Sequence, residues 1–367
     1  WVAVRIPDDC IAAHANQSRI HQFNLNDKEN CLYAPDVISF AREKGYFSGA
    51  NKDFSFADAY CPLDFSGLRF CEARVWSYYN MFSKATGQAY LSYIQGESKE
   101  PMPLYVKPDQ KVSVRDIQRA MRDHYEGTAL DITKDMGAGA FNMPYRLSPL
   151  TFKVDNEEYF NERPISTQQT AFTFVAQMRA NLPDVVGGVL WFGLDDANMT
   201  VFTPVYCNTN QVPDVYAEGN GDCVTFSWNS AFWIYNWVAD MIRPRYSLMV
   251  GDMQQVQTGL EDMYANAQEG IEATAMKLYQ QDPLKARDFL TRYTAMAAKD
   301  AVDSWKKLGE FLIVRYNDGA VKLVKNGRIV APETGNCAPL DRPGYSQEFL
   351  KELVKATGDR YKMKELK

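Results

Sequence analysis

The sequence predicts an α+β protein in which antiparallel strands are covered by helices, and three stretches carry that prediction. Val185 to Leu194 and Thr200 to Tyr206 are apolar, β-branched and aromatic, and they join across Asp195-Asp-Ala-Asn198 as the clearest strand pair. Leu260, Met263, Tyr264, Ala267, Ile271, Ala275 and Leu278 recur at helical spacing. Asp282-Pro283 then supplies a cap and a first-turn proline for a second helix carrying Phe289, Tyr293, Met296, Ala297, Val302 and Trp305. Finally, Glu310 to Val330 reads as strand, with Asn317-Asp-Gly319 and Asn326-Gly327 as two hairpin turns. Unbroken apolarity from Val189 to Phe192 predicts burial on both faces, as in a sheet inside a layered sandwich.

The remaining elements follow from local signals. Val2 to Ile6, the Pro7-Asp8-Asp9 turn and Cys10 to Ala15 read as a short hairpin. Asp36 caps a helix over Val37 to Lys44, which Gly45 ends. Gly49 to Gly67 lacks periodicity and reads as irregular, surface-packed chain. Leu68 to Ser83 is helical, with Phe70, Ala73, Val75, Trp76 and Phe82 inward. Residues 96 to 109, with four Gly and Pro positions, form a loop, and Ser113 with Asp116 opens a helix through about Tyr125 as a capping box. Asp135 to Asn142 is a glycine-rich loop that Met143-Pro-Tyr-Arg-Leu-Ser-Pro149 continues. Thr167 to Leu182 reads as helix, and so does Ser346 to Thr357, closed by Gly358.

Composition narrows the function. The 367 residues are 46% hydrophobic and 13% aromatic, enough for a sizeable core. Forty basic against 46 acidic residues give a net charge of −6 with no long basic run, which argues against nucleic acid as partner. Charges interrupt every apolar stretch before it reaches membrane-spanning length. The seven cysteines are Cys10, Cys31, Cys61, Cys71, Cys207, Cys223 and Cys337. Cys61 with Cys71, or Cys207 with Cys223, would bridge in an oxidising compartment; buried free thiols explain them equally. Cys207 has no His, Lys or Arg beside it and reads as a structural thiol. Three histidines make a His-rich zinc site unexpected, and no metal or organic cofactor is implied. Asn16-Gln-Ser18 and Asn198-Met-Thr200 fit the glycosylation pattern.

Ala12-Ala-His-Ala-Asn-Gln-Ser-Arg-Ile20 stands apart, because an apolar strand ends abruptly there in polar residues. Asn16 at such a strand end either caps a turn or, held rigidly, donates its amide NH₂ to a developing oxyanion. Arg74, in Glu72-Ala-Arg-Val-Trp76, either covers apolar neighbours with its stem or sets the charge of a site.

Trp1-Val-Ala-Val-Arg-Ile-Pro-Asp-Asp9 followed by His14-Ala-Asn-Gln-Ser-Arg-Ile20 resembles the interior of PepD-type dipeptidases, cysteine peptidases of the N-terminal-nucleophile (Ntn) hydrolase superfamily. The likeness continues through Ala73-Arg-Val-Trp76, Pro144-Tyr-Arg146, Gly187-Gly-Val-Leu-Trp-Phe-Gly193, Thr203-Pro-Val-Tyr206 and the run Phe226 to Val238. It implies an αββα sandwich of antiparallel sheets, incomplete in this chain, with the helical hairpin added. Residues 1–250 would be the carboxy-terminal part of the catalytic domain, and 251–367 the hairpins and terminal helix packed on it. By the same resemblance the nucleophile is an amino-terminal Cys from sequence upstream of Trp1, Asn16 is the oxyanion donor and Arg74 sets the thiolate's electrostatics. It also brings Met143 to Pro149 near the substrate cleft.

The expected partners are a dipeptide or small amide substrate, an amino-terminal segment or chain carrying the nucleophile and, as an option, a second copy. The chain by itself is expected to be inactive. A periplasmic or secreted location is favoured over a cytoplasmic one. Two rival readings share the scaffold: a non-catalytic binding protein, suggested by the aromatics between residues 46 and 93, and an acylase of non-peptide amides.

Overall fold

A computed structural model describes residues 1–147, 150–335 and 338–364. The chain divides into two compact units, Trp1–Tyr125 with Pro149–Ile165, and Glu126–Ser148 with Ser166–Lys367. Helices and small antiparallel sheets alternate throughout, so the α+β class holds. Among the described residues the largest sheet has three strands and the others two. The expected boundary at residue 250 falls inside a long helix, described below.

In the first unit, β1 (Val2–Val4) does not fold back on β2 (Ile11–Ala12), as the hairpin expectation had it. It pairs with β3 (Cys31–Tyr33), while β2 pairs with β4 (Tyr105–Val106). The Pro7 carbonyl accepts from Cys10 N at 3.0 Å, so the turn is real. Its two arms are claimed by partners far along the chain. α1 (Val37–Glu43) starts at Asp36, although the Asp36 side chain makes no capping bond. Its carbonyls are closed by Gly45 N and Tyr46 N, with Gly45 left-handed at φ 75°. The stretch expected to be irregular holds α2 (Phe56–Tyr60) and contributes core: Phe54 is buried with Val37, Ile38 and Ala41, and Phe47, Phe56 and Tyr60 pack around it. Several of the aromatics that suggested a binding surface therefore pack on one another.

The helix expected from Leu68 to Ser83 begins as a π-helix over Gly67–Glu72 and becomes α3 at Ala73–Phe82. Two short helices follow, α4 (Lys84–Ala89) and α5 (Leu91–Ile94). α6 (Val114–Ala120) has the full Ser113–Asp116 capping box but stops five residues before Tyr125. β5 (Thr151–Val154) and β6 (Glu157–Phe160) form an exposed hairpin.

One buried cation ties these pieces together. Arg19 Nε donates to Glu72 Oε1 at 2.8 Å, with both side chains almost fully enclosed. Arg19 Nη1 donates to Ala13 O and the Tyr79 hydroxyl, each at 3.1 Å, and to Leu104 O at 3.4 Å. Arg19 Nη2 donates to Met102 O at 3.3 Å and Pro103 O at 3.0 Å. Burial pushes the Glu72 carboxyl above the usual range, and Arg19 opposes that rise.

The second unit is built on β7 (Phe172–Met178), β8 (Gly188–Leu194) and β9 (Thr203–Tyr206), in the order β7-β8-β9. The pair β8–β9 is the expected one. β7 replaces the helix expected over Thr167 to Leu182. Its burial alternates, with Thr173 and Val175 inward and Phe172, Phe174 and Met178 exposed, so the period is two rather than 3.6. All seven residues of β7 are in register with β8, from Phe172–Leu194 to Met178–Gly188. β8 buries Val189 and Trp191 fully and Leu190 and Phe192 partly, so only one face is closed. A single turn, α7 (Asp184–Gly187), precedes it.

α8 (Ala231–Ile242) carries the expected apolar-aromatic run, capped by Ser230. The helical hairpin is longer than its sequence stripe: α9 runs Tyr246–Gln281 and α10 runs Pro283–Tyr316. Asp282 accepts from Leu284 N at 2.9 Å and Pro283 occupies the first turn, as expected. Residues 310–316, expected to be strand, belong to α10, whose buried Leu312 and Tyr316 continue the helical period. Gly309 lets α8 approach, since a Cβ there would lie 2.2 Å from the Trp237 ring.

Two polar residues interrupt the apolar stripe of α9. Buried Gln257 donates to Asn198 O at 3.0 Å and Thr200 O at 2.6 Å, and buried Glu261 accepts from Phe202 N at 2.9 Å, so they hold the β8–β9 connection. Asn198 itself is buried, donating to Tyr145 and Tyr246 hydroxyls, which removes it as a glycosylation acceptor. Beyond α10, β10 (Val321–Lys322) pairs with β13 (Leu340–Asp341), and β11 (Val324–Lys325) with β12 (Arg328–Ile329). Asn326 and Gly327 both have positive φ, the turn expected there. α11 (Gln347–Thr357) starts at the Ser346 cap and ends at Gly358. Ser148, Pro149 and Cys337 lie outside the described residues. The other six cysteines are free thiols, so of the two readings left open the free-thiol one holds; only Cys31 and Cys71 of them are buried, and Cys207 is exposed.

Two predictions test these packings. Replacing Arg19 by Met strands a buried carboxylate and several carbonyls, and should cost about 3–5 kcal/mol in denaturant unfolding. Glu72→Gln keeps an acceptor for Arg19 Nε and should cost less. A loss under about 1 kcal/mol for Arg19→Met would show that the clamp is not structural.

The second concerns Asp195, buried in the β8–β9 connection with φ 66° and accepting from Asn236 Nδ2 at 3.0 Å. Burial pushes its carboxyl up to about 7; Asn236 opposes this, Asp196 adds to it and Arg243 opposes it. An acid with a raised native pKa is protonated in both states at low pH and costs nothing there. As pH rises from about 4 to 7 the unfolded chain ionises first, so native stability falls by up to about 4 kcal/mol. Asp195→Asn keeps the acceptor and suits the left-handed backbone. It should match the parent near pH 4 and exceed it in thermal stability at pH 8; an equal difference at both would contradict this assignment.

Candidate active site

The segment 13–21 leaves β2 and is fixed along its length. Arg19 holds Ala13 O, Gln17 Nε2 donates to Cys61 O at 2.6 Å, and Ile20 O and His21 O accept from Ala57 N and Phe56 N of α2. Gln17 and Arg19 are buried and alternate with exposed Asn16, so the strand-like period throws Asn16 outward. His14 is exposed and His21 lies beside Asp58 at 3.3 Å.

Arg74 lies in the first turn of α3, just beyond the π-helical turns. Its Nε donates to Phe70 O at 2.6 Å and its Nη2 donates to Asn16 Oδ1 at 2.8 Å, with Cys71 Sγ at 3.9 Å from the same nitrogen. π turns recur where a helix must present a side chain at a functional site. Here the wider turns place Arg74 so that one guanidinium reaches both its own helix and a residue 58 positions away.

A guanidinium has only donors, so the Asn16 atom facing Arg74 is its carbonyl oxygen. The Asn16 Nδ2 group is therefore turned away from the arginine, and it has no protein partner among the described residues. Such a fixed, unspent donor pair can meet a developing oxyanion without reorganising.

A second cation, Arg163, stands near Arg74. Burial makes the Arg74 guanidinium a stronger acid than usual, Arg163 adds to that by like-charge repulsion, and Cys71 and Tyr125 oppose it. It remains charged at any working pH. The Arg163 Nε is buried with no hydrogen-bond partner among the described residues. Tyr125 fixes this arginine's backbone, donating to Arg163 O at 2.8 Å from a fully buried ring with φ 66°. A non-glycine residue there is strained and is kept where the surroundings over-determine it. Burial raises the Tyr125 hydroxyl well above its usual range, Glu162 and Asp123 add to that, and Arg74 and Arg69 oppose it. Arg69 pairs with Glu162, donates to Ile94 O at 2.7 Å and covers the Phe160 ring at 5.0 Å, which anchors the β5–β6 hairpin to the π-helix.

The structure thus brings Asn16 and Arg74, the two residues singled out from the sequence, into direct contact. Sequence reasoning missed Arg19 and Arg163. Arg19 was visible as the one charge in an otherwise uncharged run, Ala12 to Ile20, and Arg163 carried no local signal.

Residues 1–259 match the family model described as Peptidase family C69. Among curated proteins, the chain is 28% identical over 206 residues to a probable dipeptidase of Salmonella dublin, covering 56% of this chain and 42% of that protein. It is 25% identical over 248 residues to a probable dipeptidase of Latilactobacillus sakei, covering 67% and 46%. To dipeptidase A of Lactobacillus helveticus it is 22% identical over 241 residues, covering 66% and 45%. In each case the match spans less than half of the relative's length. The family match, with the motifs that run through both units, makes this chain a member of peptidase family C69, cysteine peptidases of the Ntn-hydrolase-like group.

Proposed function

We propose that this chain is the carboxy-terminal portion of a cysteine-type dipeptidase of the Ntn-hydrolase class, with the nucleophile supplied by sequence upstream of Trp1 or by a separate chain. The observation that carries the reading is the Arg74–Asn16 hydrogen bond, which leaves the Asn16 amide hydrogens unspent beside a guanidinium that Arg163 in turn neighbours. The small sheets support it as well: among the described residues β1–β3 and β2–β4 are two-stranded, so each of these strands has one edge without a β partner. The dipeptidase names of the relatives supply the substrate class.

In this mechanism an amino-terminal Cys, deprotonated by its own α-amine, attacks the peptide carbonyl carbon. The C–S bond forms and the carbonyl π electrons move to oxygen, where Asn16 Nδ2 donates to the oxyanion. Collapse expels the leaving amine, which takes the proton held by the α-ammonium, and water then hydrolyses the thioester. Arg74 holds the Asn16 carboxamide by its oxygen and, with Arg163, supplies the field that favours a thiolate.

The test uses the chain extended by an upstream segment with a processed amino-terminal Cys. Asn16→Ala should lower kcat about a hundredfold or more and leave KM nearly unchanged, because an oxyanion donor acts in the transition state. Arg74→Lys keeps the charge but loses the planar fork, and should reduce turnover with folding intact. Full turnover in both variants would sink the site assignment. The chain by itself should not cleave dipeptides. Cleavage that disappears on mutation of Cys207 would instead move the nucleophile to that exposed thiol.

A further inference from the structure

Behind the Asn16 segment, the first unit has a partly open cavity of about 480 Å³, the size of a small-molecule site. Leu63, Leu68 and Met102 give it apolar walls, while Glu72 and Tyr93 line it as buried polar groups, each only 4% exposed. Both bring unspent hydrogen-bonding capacity. Glu72 uses Oε1 for Arg19, and its Oε2 is not sealed in the interior but open to the cavity. The Tyr93 hydroxyl likewise is not sealed in the interior and is open to the cavity.

What the cavity can recognise follows from which groups are already spent. Arg19 also lines it, but its Nε and both terminal nitrogens are committed to Glu72, Tyr79 and four carbonyls. It therefore offers an anion little. The unspent groups are a carboxylate oxygen, which only accepts, and a phenolic hydroxyl, which donates and accepts, so the charge that suits the floor is a cation's. The other charged or titratable groups on the lining are His21 with its neighbour Asp58, Cys61, and Lys99 on exposed chain. Lys99 is solvated and screened, whereas Glu72 is enclosed. Burial still raises the Glu72 carboxyl against the pull of Arg19, so one cation does not fully offset the cost of enclosing that charge.

We propose that this cavity binds a primary ammonium group bearing an aliphatic side chain, of the size of a single amino-acid residue, with Glu72 and Tyr93 as the recognising groups. The ammonium donates to Glu72 Oε2 and the Tyr93 oxygen, and the aliphatic group packs on Leu63, Leu68 and Met102. The site shares the Gln17–Arg19 strand with Asn16 but needs neither nucleophile nor hydrolysis, so it stands or falls apart from the proposed reaction.

Titration calorimetry on the purified chain tests it, with L-leucinamide as probe at about pH 6, where an α-amine is protonated. N-acetyl-L-leucinamide, which has the same aliphatic group but no ammonium, is the control. The proposal expects millimolar or tighter binding of leucinamide and at least about tenfold weaker binding of the acetylated control. Tyr93→Phe, which keeps the ring and hence the packing, should weaken leucinamide about three- to tenfold, and Leu63→Trp at the exposed side of the lining should abolish it. Glu72→Gln, if folded by circular dichroism, should lose binding altogether. Equal binding of the two probes, absence of leucinamide binding at about 10 mM, or parent-like binding by Tyr93→Phe would each overturn the proposal.

Discussion

The first unit depends on one buried guanidinium. Arg19 reaches a carboxylate on the π-helix, a hydroxyl on α3, and carbonyls at residues 13 and 102–104. No apolar residue could join these pieces, because the segments it bridges expose unpaired carbonyls to the interior, and each would be costly unpaired. A planar fork satisfies several of them at once, which a lysine cannot do. The enclosed charge needs Glu72, and Glu72 needs the helix to begin where it does. The geometry of the Asn16 segment follows from that choice.

From there the candidate site is nearly forced. With Ala13 held, Gln17 tied to Cys61 and Arg19 buried, alternation along the segment leaves Asn16 on the outer side. Arg74 stands two residues beyond Glu72 on the same helix, so the ion pair that fixes the segment also fixes the arginine that meets it. The contact selects the carboxamide oxygen and releases the amide hydrogens. A structural cap would spend the side chain on neighbouring backbone; here the hydrogen bond of the Asn16 side chain goes to another side chain.

Much of the second unit was legible in the sequence because its signals are local. Asp282-Pro283, Asn326-Gly327 and Ser346 with Gly358 each specify a cap or turn through their own backbone preferences. The strand pair β8–β9 showed itself by composition. What stayed hidden was set by distant partners. Phe172 to Met178 has the composition of either a helix or a strand, and pairing with β8 decides it. Val2 to Ala12 looks like a hairpin until β3 and β4 claim its two arms. In the site, Asn16 and Arg74 were found through motif resemblance, whereas nothing local marks Arg163 or reveals that Arg19 is a clamp. Their roles arise from contacts with residues tens of positions away.

Arg19 is immobile and fully bonded, and Asn16 is held by Arg74 as a consequence. Nitrogen-resolved NMR of the guanidinium and carboxamide groups in the intact chain measures both at once. A clamped Arg19 should give separate, slowly exchanging Nε and Nη proton signals at neutral pH. The Asn16 carboxamide should be dispersed, and its position should shift in Arg74→Lys while the backbone spectrum of the α9–α10 hairpin stays unchanged. A rapidly exchanging, averaged Arg19 signal, or an Asn16 carboxamide at the position of a free side chain in both proteins, would contradict it.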